Sequence, residues 1–213
     1  MWGPSIPAYR IDKSSNLRNP NHPKKGSIIR VEPIRDLKAV KRIKKLREDN
    51  PRDFCLFTCG INTAYRAKEL MSIRIGQVEH LIAGDRLQIW QSKTKKLRPV
   101  AVNGAVIAAI DAWLQVHPDP RPDAPLFISG RGGKALTVPT VSSMLKDWCA
   151  EIGLHGNYAS HTMRKTWGFH QYRQNNAGIA FLMEAFGHTT QKQTLDYLCI
   201  DPDEIRELYD FEL

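Results

Sequence analysis

Hydrophobic positions along the chain repeat with the helical period in most segments and with the strand period in one central stretch. From Ile34, IRDLKAVKRIKKLRED sets Leu37, Val40, Ile43 and Leu46 beneath a heavily basic outer face, which is the pattern of an amphipathic helix. A second helix is expected from Pro51, a residue suited to a first helical turn, through DFCLFTCGI; a turn at INTAY and a helical RAKELMSI follow. Next, IGQVEHLI, RLQIWQ and LRPVAV read as strands, separated by AGD and the basic link SKTKK. Helical patterns resume in AVIAAIDAWLQVH and, past the Pro-rich loop HPDPRPDAP and a short apolar LFI, in VPTVSSMLKDWCAEIGL, SHTMRKTWGFHQYRQ, AGIAFLMEAF and a last helix carrying Tyr197. The expected class is α+β: mainly helical, with a small antiparallel three-stranded sheet.

Composition narrows this picture. With 213 residues and 42% apolar content the chain can bury one large core. Residues 1–34 mix prolines with Asn and Ser and lack a sustained apolar period, so they are expected to form a basic, extended arm ahead of a domain over 35–213. A tail without function and an arm that tracks a polyanion fit equally well. No apolar run reaches the roughly 18 residues of a membrane span, and MWGPSIPAYR lacks a signal pattern. A cytoplasmic location and no membrane partner are therefore expected.

Charge adds a direction. The net charge is +9, and Lys and Arg that neutralise phosphates release counterions, which favours a polyanionic partner. The excess is uneven: residues 1–50 hold thirteen basic against five acidic side chains, while the last thirteen residues, DPDEIRELYDFEL, hold one against six. That acidic tail, 201–213, keeps an apolar stripe of Ile205, Leu208 and Tyr209 and reads as a short packing helix, on its own domain or on a neighbouring subunit. The four cysteines follow no metal-ligand spacing; Cys55 and Cys59, four apart, are expected to share a buried helix face.

Three short segments could carry chemistry. In SHTMRKTW, Ser160 can cap a helix whose first turn holds His161 and Arg164 three apart on one face, where free N–H groups favour an anion. In YRAKEL, Glu69 stands three residues after Arg66 and can orient its guanidinium for a two-pronged phosphate contact. Solvated basic faces and a surface ion pair are the plainer accounts of these two. In GHTTQKQTLDY, His188 and Tyr197 stand nine apart. Nine helical steps of about 100° would turn them to opposite faces, so the chain must break between them if they act together. Two arginines, a lysine of SKTKK, two histidines and a tyrosine suit phosphoryl transfer without a metal or other cofactor. Tyrosine serves as covalent nucleophile there, because a phenol of pKa about 10 ionises readily and still departs in the reverse step.

In their order these residues resemble the tyrosine recombinases, the phage integrases and their relatives. The family's pattern of Arg, Lys, HxxR, and GH followed at a fixed gap by Tyr is similar to Arg66, Lys93, His161 with Arg164, His188 and Tyr197. GINTAYRAKEL resembles its NTGLR-x-x-EL box, SHTMRKTWGFH its HTLRKTF box and FGHTTQKQTLDYL its GH…T…Y box, over about residues 35–200. The resemblance implies the recombinase catalytic-domain fold and double-stranded DNA, not a small molecule, as substrate. It also implies a bacterial or phage origin and a homotetramer on DNA that exchanges strands through a Holliday junction.

By the same resemblance, Arg66 and Arg164 would bind the scissile phosphate with Glu69 in support, and Lys93 would protonate the departing 5′ oxygen. His161 and His188 would hydrogen-bond the phosphate or assist proton transfer, and Tyr197 would form a 3′-phosphotyrosyl link. Lys93 is preferred over Lys95 and Lys96 because SKT is similar to the family's TKT. Ala64 and Tyr65 replace the family's glycine and leucine, and the helical domain that usually precedes the catalytic domain has no counterpart in this sequence. A short natural recombinase and an isolated catalytic fragment both fit. A type IB topoisomerase and a DNA-binding regulator on the same fold are the alternatives.

Overall fold

The computed structural model describes residues 30–91, 96–130 and 132–200. The arm expected over 1–34, apart from residues 30–34, and the packing helix expected in the acidic tail lie outside these residues. Helix α1, Leu37–Leu46, starts where the Asp36 side chain accepts from the Lys38 N–H, and it buries Ala39, Val40 and Ile43. Leu37 and Leu46 stay exposed at its ends. Helix α2, Pro51–Thr63, is capped by the Asn50 side chain, which accepts from the Asp53 N–H, and has proline in its first turn. It continues through Thr63 and so shortens the turn expected at INTAY to Ala64 and Tyr65.

Four-residue α3, Ala67–Leu70, leads to a hairpin of β1, Arg86–Gln91, and β2, Lys96–Ala101, paired antiparallel with Trp90 opposite Leu97. Leu87 and Ile89 of β1 point into the core. Among the described residues the sheet has two strands and not three. The segment IGQVEHLI instead makes a 3-10 turn at Ile75–Gln77 and a chain of short-range bonds, Glu79 to Ile75 and Leu81 to Val78. Its apolar residues Ile75, Val78 and Leu81 recur every three positions, the period that a 3-10 turn stacks on one side. Strand composition there concealed a helical spacing.

The remaining helices are α4, Gly104–Leu114; α5, Val138–Glu151; α6, His161–Arg173; α7, Ile179–Phe186; and α8, Gln191–Leu198. Asn103, Thr137 and Thr190 cap α4, α5 and α8 through their side chains. Helix α2 lies at the centre, between α4 and α6. Its Leu56 and Phe57 are buried with Ile110 of α4, Leu145 of α5 and Met163 of α6 in one apolar core. Gly60 lets α6 approach, for a Cβ there would sit 2.3 Å from the Met163 sulfur. Cys55 and Cys59 share the buried face of α2 as expected, their sulfurs 3.8 Å apart. A second, smaller cluster joins Ala64, Leu182, Phe186 and Leu198, with Trp167 and Tyr197 packed against it. This cluster is the floor of the site.

Candidate active site

Two chain ends organise the cations. Helix α2 ends at Ala64 in the left-handed region (φ 52°), and α7 ends at Phe186 with Gly187 left-handed behind it (φ 66°). Each end exposes carbonyls that the helix cannot satisfy, and cations are favoured at such ends. Arg164 donates through Nη1 to the Ala64 carbonyl and through Nη2 to the Phe186 carbonyl, the latter at 2.9 Å. Arg66 reaches the same Phe186 oxygen at 3.4 Å. Both guanidiniums are thus drawn to one point.

Arg66 sits at the N-cap of α3, where Glu69 binds it twice: Oε2 accepts from its backbone N–H at 2.7 Å and Oε1 from Nη1 at 2.9 Å. Glu69 is buried, so this pair is an orienting device and not a solvated surface bridge. Arg164 is only 2% exposed, and its guanidinium carbon lies over the Phe186 ring, 4.9 Å from the centroid. Burial lowers its pKa to about 10, the neighbouring Tyr197 opposing that fall.

Three rings complete the site. The His161 Nδ1 is 3.3 Å from the Tyr197 hydroxyl, and the His188 ring lies edge to face with Tyr197 at 5.1 Å between centroids. His188 Nδ1 stands 3.0 Å from the Thr194 hydroxyl, which is also 3.4 Å from the Thr190 carbonyl. With the Thr194 proton directed to that carbonyl, its oxygen receives Nδ1–H and leaves His188 Nε2 as the acceptor. Desolvation first, and then the Arg164 and Arg66 charges, lower the pKa of both histidines; Lys165 adds to the effect at His161. Both shifts favour the neutral imidazole, the form that can accept a proton. Burial raises the Tyr197 phenol above its ordinary pKa, and Arg164 and Arg66 pull against that rise. The phenol needs a base nearby, and His161 stands within reach.

The chain does break between His188 and Tyr197. Helix α7 closes at Phe186, His188 follows in the turn, and α8 begins at Gln191. His188 lies beyond the end of one helix, not at the start of one, and Tyr197 rides the next. The structure thus brings together Arg66, Glu69, His161, Arg164, His188 and Tyr197. Lys93 falls in the β1–β2 link, 92–95, outside the described residues. Ser160 does not cap α6 with its side chain, because its own backbone is already helical; Thr162 instead accepts from the Ala159 N–H.

Two cations went unforeseen. Arg98 of β2 donates to the Ala64 and Ala185 carbonyls and pairs with Glu69 at 3.4 Å, so one carboxylate serves two arginines. Its signal was an arginine at an inward-facing position of the strand LRPVAV. Lys165 is 5% exposed and sits beneath Tyr197, its Nζ 4.6 Å from the ring centroid. It stands four residues after His161, and therefore on the same helical face.

Clustered guanidiniums, two imidazoles and a phenol are the groups that binding a phosphodiester and attacking it with a tyrosine would require. The sequence agrees with that class: residues 30–204 match the model of the Phage integrase family, and the chain belongs to that family. It is 32% identical over 180 residues to "Probable integrase/recombinase YoeC" of Bacillus subtilis (strain 168), covering 84% of this chain and 95% of that protein. It is 28% identical to the tyrosine recombinase XerC of Caldanaerobacter subterraneus subsp. tengcongensis, covering 95% of this chain but 62% of XerC. The fold is similar to that of XerA recombinase (TM-score 0.69, 22% identity, 88% of this chain and 65% of that one). It is also similar to the catalytic domain of bacteriophage HP1 integrase (TM-score 0.53, 17% identity, 85% and 95%).

Proposed function

We propose that the chain cleaves and rejoins duplex DNA at specific sites through a 3′-phosphotyrosyl intermediate. One observation carries this: the Tyr197 hydroxyl lies 3.3 Å from the His161 imidazole, beside two arginines that meet at a single carbonyl. Arg66 and Arg164 bind the non-bridging oxygens of the scissile phosphate, and Glu69 holds Arg66 in place. His161 takes the phenol proton as the Tyr197 oxygen bonds to phosphorus, and His188 hydrogen-bonds the phosphate. The bond to the 5′ oxygen breaks, and Lys93 supplies its proton. The new ester keeps the energy of the broken phosphodiester, so resealing needs neither ATP nor a metal. The same reading makes the working form a homotetramer on DNA, as in sequential strand exchange, and places it in the cytoplasm.

A supercoiled plasmid carrying two copies of the target site tests the proposal. Recombinant circles support site-specific recombination. Relaxation without recombinants would favour a nicking and resealing enzyme, and neither product would favour a DNA-binding regulator.

A further inference from the structure

Lys165 has no part in the reaction proposed above, yet it is among the most deeply placed charges near the nucleophile. It projects from α6, one residue after Arg164, and is buried at 5% exposure. Its Nζ lies 4.6 Å from the centroid of the Tyr197 ring and 3.5 Å from the Cys199 sulfur. Cys199 ends α8 in the left-handed conformation, and its carbonyl accepts from Arg35 Nη2 at 2.6 Å. Two cations thus grip the last turn of the nucleophile's helix from outside it.

We propose that Lys165 is a positioning residue for the nucleophile: its ammonium, set between the face of the Tyr197 ring and the Cys199 thiol, seats the phenol beside His161 and favours the phenolate. A cation over an aromatic face is attracted by the ring's negative quadrupole, and more so once the phenol ionises. Burial strengthens the attraction, because little water screens it. Tyr197 also faces His161 and Arg164 of α6, Arg66 before α3, His188 in the α7–α8 turn and Arg98 of β2, with Cys199 on its own segment. Among the described residues Lys165, and none of these, is the cation placed over the ring itself.

This inference rests on Tyr197 being the nucleophile, and two readouts separate the claims. The first is adduct formation on a nicked suicide duplex of the target site. Lys165→Met is expected to form the adduct about tenfold more slowly than wild type, and Lys165→Arg to remain within about threefold, with DNA affinity alike in all three. The second needs no DNA: 3-fluorotyrosine placed at position 197 reports phenol ionisation through its fluorine resonance. Lys165→Met should raise that pKa by about one unit and Lys165→Arg should leave it at or below the wild-type value. An unchanged titration in Lys165→Met, or cleavage within about twofold of wild type, overturns the proposal. Lys165→Gln provides the neutral variant should the Met protein not fold. If wild type forms no adduct, the strand-transfer reading fails, and the titration alone decides the role of Lys165.

Discussion

At the scale of the residue, Ala64 shows how a substitution that looks mild in sequence acquires a physical meaning. It closes α2 with φ 52°, a conformation that glycine adopts without penalty and a β-carbon resists. It nonetheless stays buried, its carbonyl receiving both Arg164 and Arg98. Restoring glycine, Ala64→Gly, relieves about 1–2 kcal/mol of that strain but removes a buried methyl and adds chain entropy of similar total size, so denaturant unfolding should find stability within about 1 kcal/mol of wild type. Tyr65, at the family's leucine position, sets its hydroxyl 2.7 Å from the Leu87 carbonyl and 3.1 Å from that of Arg98, its one proton shared between them, and so ties the hairpin to the helical body. Arg164 carries two loads, since the donors that hold it also join the ends of α2 and α7. Arg164→Ala should therefore cost about 2–3 kcal/mol of stability as well as abolish cleavage, while Arg164→Lys should retain more of the fold. Equal melting of Arg164→Ala and wild type would remove the structural half of that account.

At the scale of the element, the site depends on how closely α6, α7 and α8 approach. Gly168 on α6 is the contact: a Cβ there would lie 2.3 Å from the Phe186 ring and 2.8 Å from a Leu198 methyl. Gly168→Ala should push the last two helices away from Arg164, lowering stability by about 1–3 kcal/mol and slowing cleavage more than DNA binding. Unfolding curves and single-turnover cleavage would check both. The helices themselves were legible from their apolar period, and the start of α2 from Pro51, but the caps at Asp36, Asn50, Asn103, Thr137 and Thr190 emerge only in the structure, and the one cap read from sequence, Ser160, does not form. The candidate site residues stood out because they fall in short boxes whose order resembles a known family, and the structure sets all of them but the undescribed Lys93 near one another. What could not be read was long-range: the convergence of Arg66, Arg98 and Arg164 on the ends of α2 and α7 depends on carbonyls, which leave no mark in residue identity. The third strand failed for a local reason, since Ile75, Val78 and Leu81 carry strand-forming composition on a period of three.

At the scale of the whole molecule, histidines whose pKa values fall on folding link stability to pH. His161, His170 and His188 all have pKa values lowered from 6.5, in each case chiefly by desolvation. Below pH about 6.5 the unfolded chain therefore binds more protons than the folded one, and stability rises with pH across that window. Their contribution is fully present above pH 6.5 and is lost as the pH falls through the lowered folded values. The thermal midpoint should drop between pH 7 and pH 5, and less so in a His170→Gln variant; a midpoint that climbs over that range would contradict the assignment. His170 binds the Ile34 carbonyl at 2.9 Å, and the Ile34 N–H donates to Thr166 at 2.9 Å, so the chain entering α1 is fastened to the helix that carries His161 and Arg164. The central claim, that Tyr197 attacks the phosphate, is tested most directly by trapping. Wild type, incubated with nicked suicide DNA from its target site, should yield a covalent protein–DNA adduct that survives denaturation, and Tyr197→Phe should yield none; an equal adduct from the Phe variant would contradict the assignment of the nucleophile.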